Sequence, residues 1–246
     1  MMNRKYHENS FGVRLDSLKS AKIIVPIILD LIQPQSVVDV GCGTGEFLSV
    51  FKEQGIKNIF GIDGPWVNKE KLCIPKEFFQ HADLEKPVSI DKKFDLAISL
   101  EVAEHLSKDS VSTFVQTLTD LSPIIVFSAA IPFQGGIHHI NEQWPEYWAE
   151  LFAKKDYAPI DCIRKQIWNN EEVSFWYAQN ILLFARKDYL KANSKLKKEF
   201  EQTELSALSL VHPKQYLPKA RMYNAIVKFT PRPVVWIMIK FMNFFK

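Results

Sequence analysis

The chain has 246 residues, of which 47% are hydrophobic and 24% charged, with three cysteines and a formal net charge of +3. This balance suits one folded domain with appendages and excludes a disordered chain. Cys42, Cys73 and Cys162 have no metal-ligand spacing and no evident pairing, so a disulfide scaffold is excluded and a reduced, cytoplasmic setting is expected.

The first 22 residues are polar, of mixed charge and without an apolar core, so no secretory signal is expected. Ala21, Val25, Ile28, Leu29 and Ile32 recur at helical spacing and predict a cover helix that Pro26 opens or kinks. Apolar, β-rich runs at 36–41, 58–63, 77–82, 94–100 and 123–129 predict strands, with helices between them, most clearly over 110–121. That alternation predicts a parallel sheet with right-handed crossovers. Two later runs, 158–163 and 180–185, would close the sheet. Residues 187–204 then read as a charged, helix-favouring connector, and Pro213, Pro218, Pro231 and Pro233 break the tail into short pieces. The expected organisation is 1–34 as an N-terminal cover, 35–188 as the main domain and 189–246 as a connector with a basic, apolar extension.

The first strand runs through Val37, Val38, Asp39 and Val40 into Gly41, Cys42, Gly43, Thr44 and Gly45, and a helix is expected over 46–54. Glycines at every second position let backbone approach a ligand where a Cβ would collide, and the helix aims its free N–H groups at the same spot. The spacing is G-x-G-x-G, not the G-x-G-x-x-G of dinucleotide dehydrogenases. Asp39, two residues before the first glycine, suits a cationic or amine-bearing ligand better than a pyrophosphate. Asp63, closing the second strand about twenty residues on, stands where an α/β sheet places its ribose-diol acceptor.

These residues resemble motif I and the second-strand acid of class I S-adenosylmethionine-dependent methyltransferases. The resemblance continues through Asp83 and Leu84, then through the fourth-strand segment 94–106 with Leu100, Glu101, Glu104 and His105, and covers roughly residues 35–186. It implies a Rossmann-like sheet of seven strands, the last inserted antiparallel, with helices on both faces and a helical C-terminal extension. It also implies S-adenosyl-L-methionine as cofactor. Asp39 with Gly41, Cys42, Gly43, Thr44 and Gly45 would hold its methionine end, Asp63 and Gly64 the ribose, and Asp83 and Leu84 the adenine, with Leu100 and Glu101 also lining the site.

Methyl transfer to oxygen usually needs a base or a metal. Glu101, Glu104 and His105 at the end of the fourth strand, and His138 and His139 after the fifth, lie on the ligand edge of a parallel sheet. Glu101, Glu104, His105 and His139 would form a Mg²⁺ or Zn²⁺ site, resembling metal-dependent methyltransferases that modify RNA 3′ ends or ubiquinone precursors. Alternatively His138, His139 or His105 acts as a simple acid–base group, or Glu104 and His105 are structural, as in metal-free members. Trp144, Tyr147, Trp148, Trp168, Trp176 and Tyr177 could line an acceptor pocket or pack as core, and the spacing of Trp148 and Phe152 favours core. This segment resembles bacterial methyltransferases of sugar and natural-product pathways.

Residues 205–246 carry seven Lys/Arg and no acid, leaving 24 basic against 28 acidic residues in the rest. The basic charge therefore lies away from the cofactor motifs. Residues 231–246, with Trp236, Ile237, Ile239, Phe241, Phe244 and Phe245, could contact the inner face of a membrane peripherally but are too short to span it. Docking on protein is the other reading, and no stacking motif supports nucleic acid. Together these features predict an O-methyltransferase acting on a small-molecule or sugar acceptor. The alternative is a non-catalytic subunit of the same fold, scaffolding a membrane-associated biosynthetic complex.

Overall fold

A computed structural model describes residues 10–230 and residue 234, with side chains from Arg14 onward. Residues 1–210 and 211–246 are separate compact units. In the first, helix α1 (Ser10–Ile32) leads to β1 (Ser36–Val40), α2 (Glu46–Glu53), β2 (Asn58–Asp63), β3 (Phe79–His81) and β4 (Leu96–Leu100). Then come α3 (Val111–Leu121), β5 (Ile124–Ser128), α4 (Pro145–Ala153), β6 (Tyr157–Ile160), α5 (Arg164–Ile167), α6 (Phe175–Asn180), β7 (Leu182–Arg186), α7 (Lys187–Ala192) and α8 (Ser194–Glu201). The second unit contains α9 (Pro213–Phe229).

Among the described residues seven strands form one sheet in the order β3-β2-β1-β4-β5-β7-β6. The pairs from β3 through β5 are parallel, whereas β7 runs antiparallel to both β5 and β6. The chain thus fills the sheet outward from β1 in one direction, then restarts at β4 in the other. That reversal opens a crevice beyond the carboxyl ends of β1 and β4.

Strand side chains alternate between two cores. Val37, Ile59, Ile98, Val126 and Leu183 pack with α1 and α2, while Val38, Ile62, Ala97, Phe127 and Phe184 pack with α3 and α4. The period of two explains why the strands read as unbroken apolar runs: both faces are covered. On α1, Ala21, Val25, Ile28 and Ile32 are buried at helical spacing, as expected. Pro26 does not open this helix, which begins at Ser10 and runs through it. Flanking buried positions Val25 and Ile28 hold the helix against the sheet despite the missing N–H.

The predicted strand over 158–163 starts at Tyr157 and stops at Ile160, because Asp161 pairs with the buried Arg164 and turns the chain into α5. Arg164 also donates to the carbonyls of Gln179 and Leu208, anchoring both to the sheet edge. The run over 180–185 is shifted likewise: Asn180 ends α6, and β7 starts at Leu182. The connector forms α7 and α8, with Leu190 and Leu196 buried in the core. The tail residues read as a membrane contact, 231–246, lie outside the described residues except Val234. No described helix is long and apolar enough to cross a membrane.

Candidate active site

The glycine turn is left-handed at each of its three glycines. Gly41, Gly43 and Gly45 have φ of +89°, +55° and +87°. A Cβ on Gly41 would lie 2.3 Å from a Val102 methyl, and one on Gly45 3.1 Å from Ile74. A Cβ on Gly43 would have no described atom nearer than 4.0 Å, so of these three glycines it is Gly43 that leaves space for a ligand. Cys42 is buried with its sulfur against Gly61, and burial pushes its thiol well above the usual range. The Thr44 hydroxyl donates to Glu46.

Three carboxylates surround this turn. Asp63 closes β2, where its Oδ2 accepts from the Gly43 N–H at 2.7 Å and its Oδ1 from the Gly64 N–H at 2.6 Å. The Trp66 indole lies beside the same group and over Gly64, close enough that a Cβ there would overlap its ring. Burial raises the Asp63 pKa, opposed by these donors and by His81. Asp39 is fully enclosed. Burial holds its carboxyl well above the ordinary range, and Asp63 and Glu46 push it further. Glu46, in the first turn of α2, pairs with Arg14 of α1 at 2.8 Å. Arg14 offsets the charge of Glu46, and burying Asp39 beside Asp63 is costly without a further cation.

Asp83 lies on the surface, paired with Lys86 at 2.9 Å and holding the Glu85 N–H, which lowers its pKa. Leu84 beside it is buried, and Leu100, at the end of β4, is half-buried.

The fourth-strand segment divides. Glu101 adopts φ +56°, and its carboxylate accepts from Asn180 Nδ2 at 3.0 Å and Gln134 Nε2 at 2.9 Å. Gln179 donates to Gln134 and Asn180, completing an amide network around it. Burial raises the Glu101 pKa while these donors lower it. Glu104 is 0% exposed, and neither carboxyl oxygen has a hydrogen-bond partner among the described residues. Burial, then the nearby Glu101, hold it well above the usual carboxylate range.

Beside it the His105 and His139 rings meet edge to face with centroids 4.9 Å apart. Ligand atoms of Glu104, His105 and His139 all lie within 4.8 Å of one another. Glu101, expected in the same set, is outside this trio and engaged by amides. Nδ1 of His105 donates to the His138 carbonyl at 3.2 Å, and Nδ1 of His139 to Glu142 at 2.9 Å. With its Nδ1 donating, a neutral His105 keeps Nε2 as an acceptor. Burial, then the neighbouring His139, push His105 down to about 4. His138 has φ +61° and an exposed side chain, so its carbonyl, and not its ring, faces His105.

Of the six candidate pocket aromatics, Trp148 and Tyr177 are core: Trp148 packs on Phe127, and Tyr177 on Phe47 with its hydroxyl beside Ser17. Trp144 is 40% exposed, while Tyr147, Trp168 and Trp176 are half-buried. Arg14, Glu46, Trp66, Gln134, Gln179 and Asn180 were not anticipated. Glu46 had a visible signal, an acid opening the helix directly after the glycines. Trp66 joins locally, three residues after Asp63, and the others through long-range contacts.

Residues 18–158 match a family model described as a methyltransferase domain. No curated protein matches the chain. Among solved structures, the methyltransferase domain of a bacterial protein, CtHen1-CN, has a TM-score of 0.52 at 19% identity, covering 68% of this chain and 98% of that one. Magnesium protoporphyrin IX methyltransferase (ChlM) from Synechocystis PCC 6803 with bound SAH has a TM-score of 0.51 at 14% identity, covering 75% and 98%.

Proposed function

The chain belongs to the class I S-adenosylmethionine-dependent methyltransferases, and from that membership we propose that it methylates a hydroxyl of a small-molecule or sugar acceptor. The observation that carries the reading is the meeting of Asp39, Asp63 and Glu46 around a glycine turn with open space at Gly43. Those acids suit a ligand bearing both an ammonium and a sulfonium. Asp39 and the turn would hold its amino-acid end, Asp63 with Gly64 its ribose, and Leu84 its base. Asp83 would have to leave Lys86 to reach the adenine amine. S-adenosylmethionine supplies an electrophilic methyl group, so the protein's task is to align the acceptor and manage its proton.

For that proton the trio Glu104, His105 and His139 is the candidate. His105 is neutral at pH 7, and both Nδ1 atoms are spent on orienting bonds, as outer partners orient metal-bound imidazoles. The partnerless Glu104 carboxyl group fits a divalent cation, with Glu104, His105 and His139 as its ligands. Such a cation supplies charge that lowers the pKa of an acceptor hydroxyl. Without it, His139, backed by Glu142, would accept the proton directly.

The test is transfer from methyl-labelled S-adenosylmethionine to a panel of phenols and sugars with and without amine and thiol groups, with and without chelator, and mass spectrometry of the products. Label on oxygen supports the proposal, and label confined to nitrogen or sulfur overturns it. Full turnover in chelator would leave His139 as the base and dispose of the cation.

A further inference from the structure

Helix α9 carries chemistry that methyl transfer does not use. Its residues advance about 100° per position. Met222, Ile226 and Phe229 therefore share one face, and they are 62%, 42% and 81% exposed. Lys214, Arg221 and Lys228, spaced by sevens, form an exposed row along one flank of that face, and Lys219 lies along the other. The Lys228 ammonium sits 5.7 Å from the Phe229 ring centroid, putting cation and aromatic together at the rim. Apolar residues flanked by cations on both sides match the boundary between acyl chains and anionic headgroups.

The charge of the segment identifies the partner. Residues 205–246 have seven Lys/Arg and no Asp or Glu, while the preceding 204 residues carry more acid than base. A protein surface of mixed sign would be met only in part by such a segment, whereas an anionic bilayer offers negative charge along its whole length. With four basic residues in seventeen, α9 does not qualify as a membrane span.

We propose that α9 is an interfacial helix that lays Met222, Ile226 and Phe229 into an anionic lipid surface while Lys214, Lys219, Arg221 and Lys228 meet the headgroups. This brings the enzyme to a membrane, where an acceptor carried on a lipid or assembled there would be within reach.

The experiment is flotation of the full chain with vesicles of phosphatidylcholine alone and of phosphatidylcholine with phosphatidylglycerol. Binding is expected only to the anionic vesicles and should weaken as salt is added. The triple reversal Lys214→Glu, Arg221→Glu, Lys228→Glu should lower partitioning more than about a hundredfold. Met222→Ser, Ile226→Ser and Phe229→Ser together should lower it about tenfold or more. Lys214→Arg with Lys228→Arg should bind like the parent. Unchanged helicity and melting show that each variant is folded. Equal binding to both vesicles, no binding by the parent, or parent-like binding by the folded charge-reversed chain would overturn the proposal. So would loss of binding on deletion of residues 231–246 while the α9 variants bind normally, or capture of an RNA probe with no vesicle binding.

Discussion

The Gly43 N–H donates to Asp63 Oδ2 at 2.7 Å, tying the turn after β1 to the acid that ends β2. With Gly64 on Oδ1, two of a carboxylate's roughly four acceptor positions are filled, and the Trp66 indole lies beside the rest. If Asp63 holds the two hydroxyls of a ribose, as proposed, a neighbouring donor would give way when the ligand binds. The backbone donors are fixed by the fold, which leaves the Trp66 side chain.

Trp66→Phe should therefore free an acceptor and strengthen binding of S-adenosylhomocysteine by about twofold to tenfold, the scale of one net hydrogen bond. Ligand should change tryptophan emission in the parent and much less in the variant. A tenfold loss of affinity would instead make the indole a direct ligand contact.

Gly41 and Gly43 should respond differently to alanine. At Gly41 the new methyl meets Val102 at 2.3 Å on a left-handed backbone, and unfolding measurements should find a loss of about 3 kcal/mol or more. At Gly43 the strain is about 1–2 kcal/mol, so the protein folds, but the methyl enters the ligand space. Calorimetry should show at least a tenfold weaker cofactor product.

Asp39 should make the ligand-free protein pH-sensitive. Its folded pKa is raised, so the stability it contributes is fully present below the unfolded value of about 3.9 and is lost as pH rises through the folded value. Asp39→Asn keeps the shape without ionising. Calorimetric scans should find the variant melting higher than the parent at pH 8 and alike at pH 4, while its affinity for S-adenosylhomocysteine falls. A parent that melts as high as the variant at pH 8 would contradict the cause assigned here.

Glu104→Gln tests the cation. Added Mn²⁺ or Zn²⁺ should raise the melting temperature of the parent and leave that of the variant unchanged. Without metal, the variant should be at least as stable, because a confined carboxyl near Glu101 has been neutralised. An equal metal-induced rise in both proteins would place the ion elsewhere.

Much of this site was legible because it is local. The turn from Asp39 to Gly45 rests largely on backbone conformation, and its glycines can be read from spacing alone. The strands were legible because a sheet covered on both faces leaves long apolar runs, although the antiparallel place of β7 came from family resemblance. What stayed hidden depends on distant partners. Arg14 reaches Glu46 from 32 positions away, and Asn180, read as the start of a strand, holds Glu101 across 79. The choice between His138 and His139 had no period to reveal it. A left-handed backbone at His138 turns its ring outward and brings His139 to His105.

The most direct measurement is calorimetric titration of the full chain with S-adenosylhomocysteine, beside Asp63→Ala. The parent should bind one equivalent in the micromolar range, and the variant, stripped of the acceptor that joins Gly43 and Gly64 and is proposed to hold the ribose, should bind about a hundredfold more weakly. No heat from a well-folded parent would contradict a working cofactor site and leave a non-catalytic scaffold of the same fold.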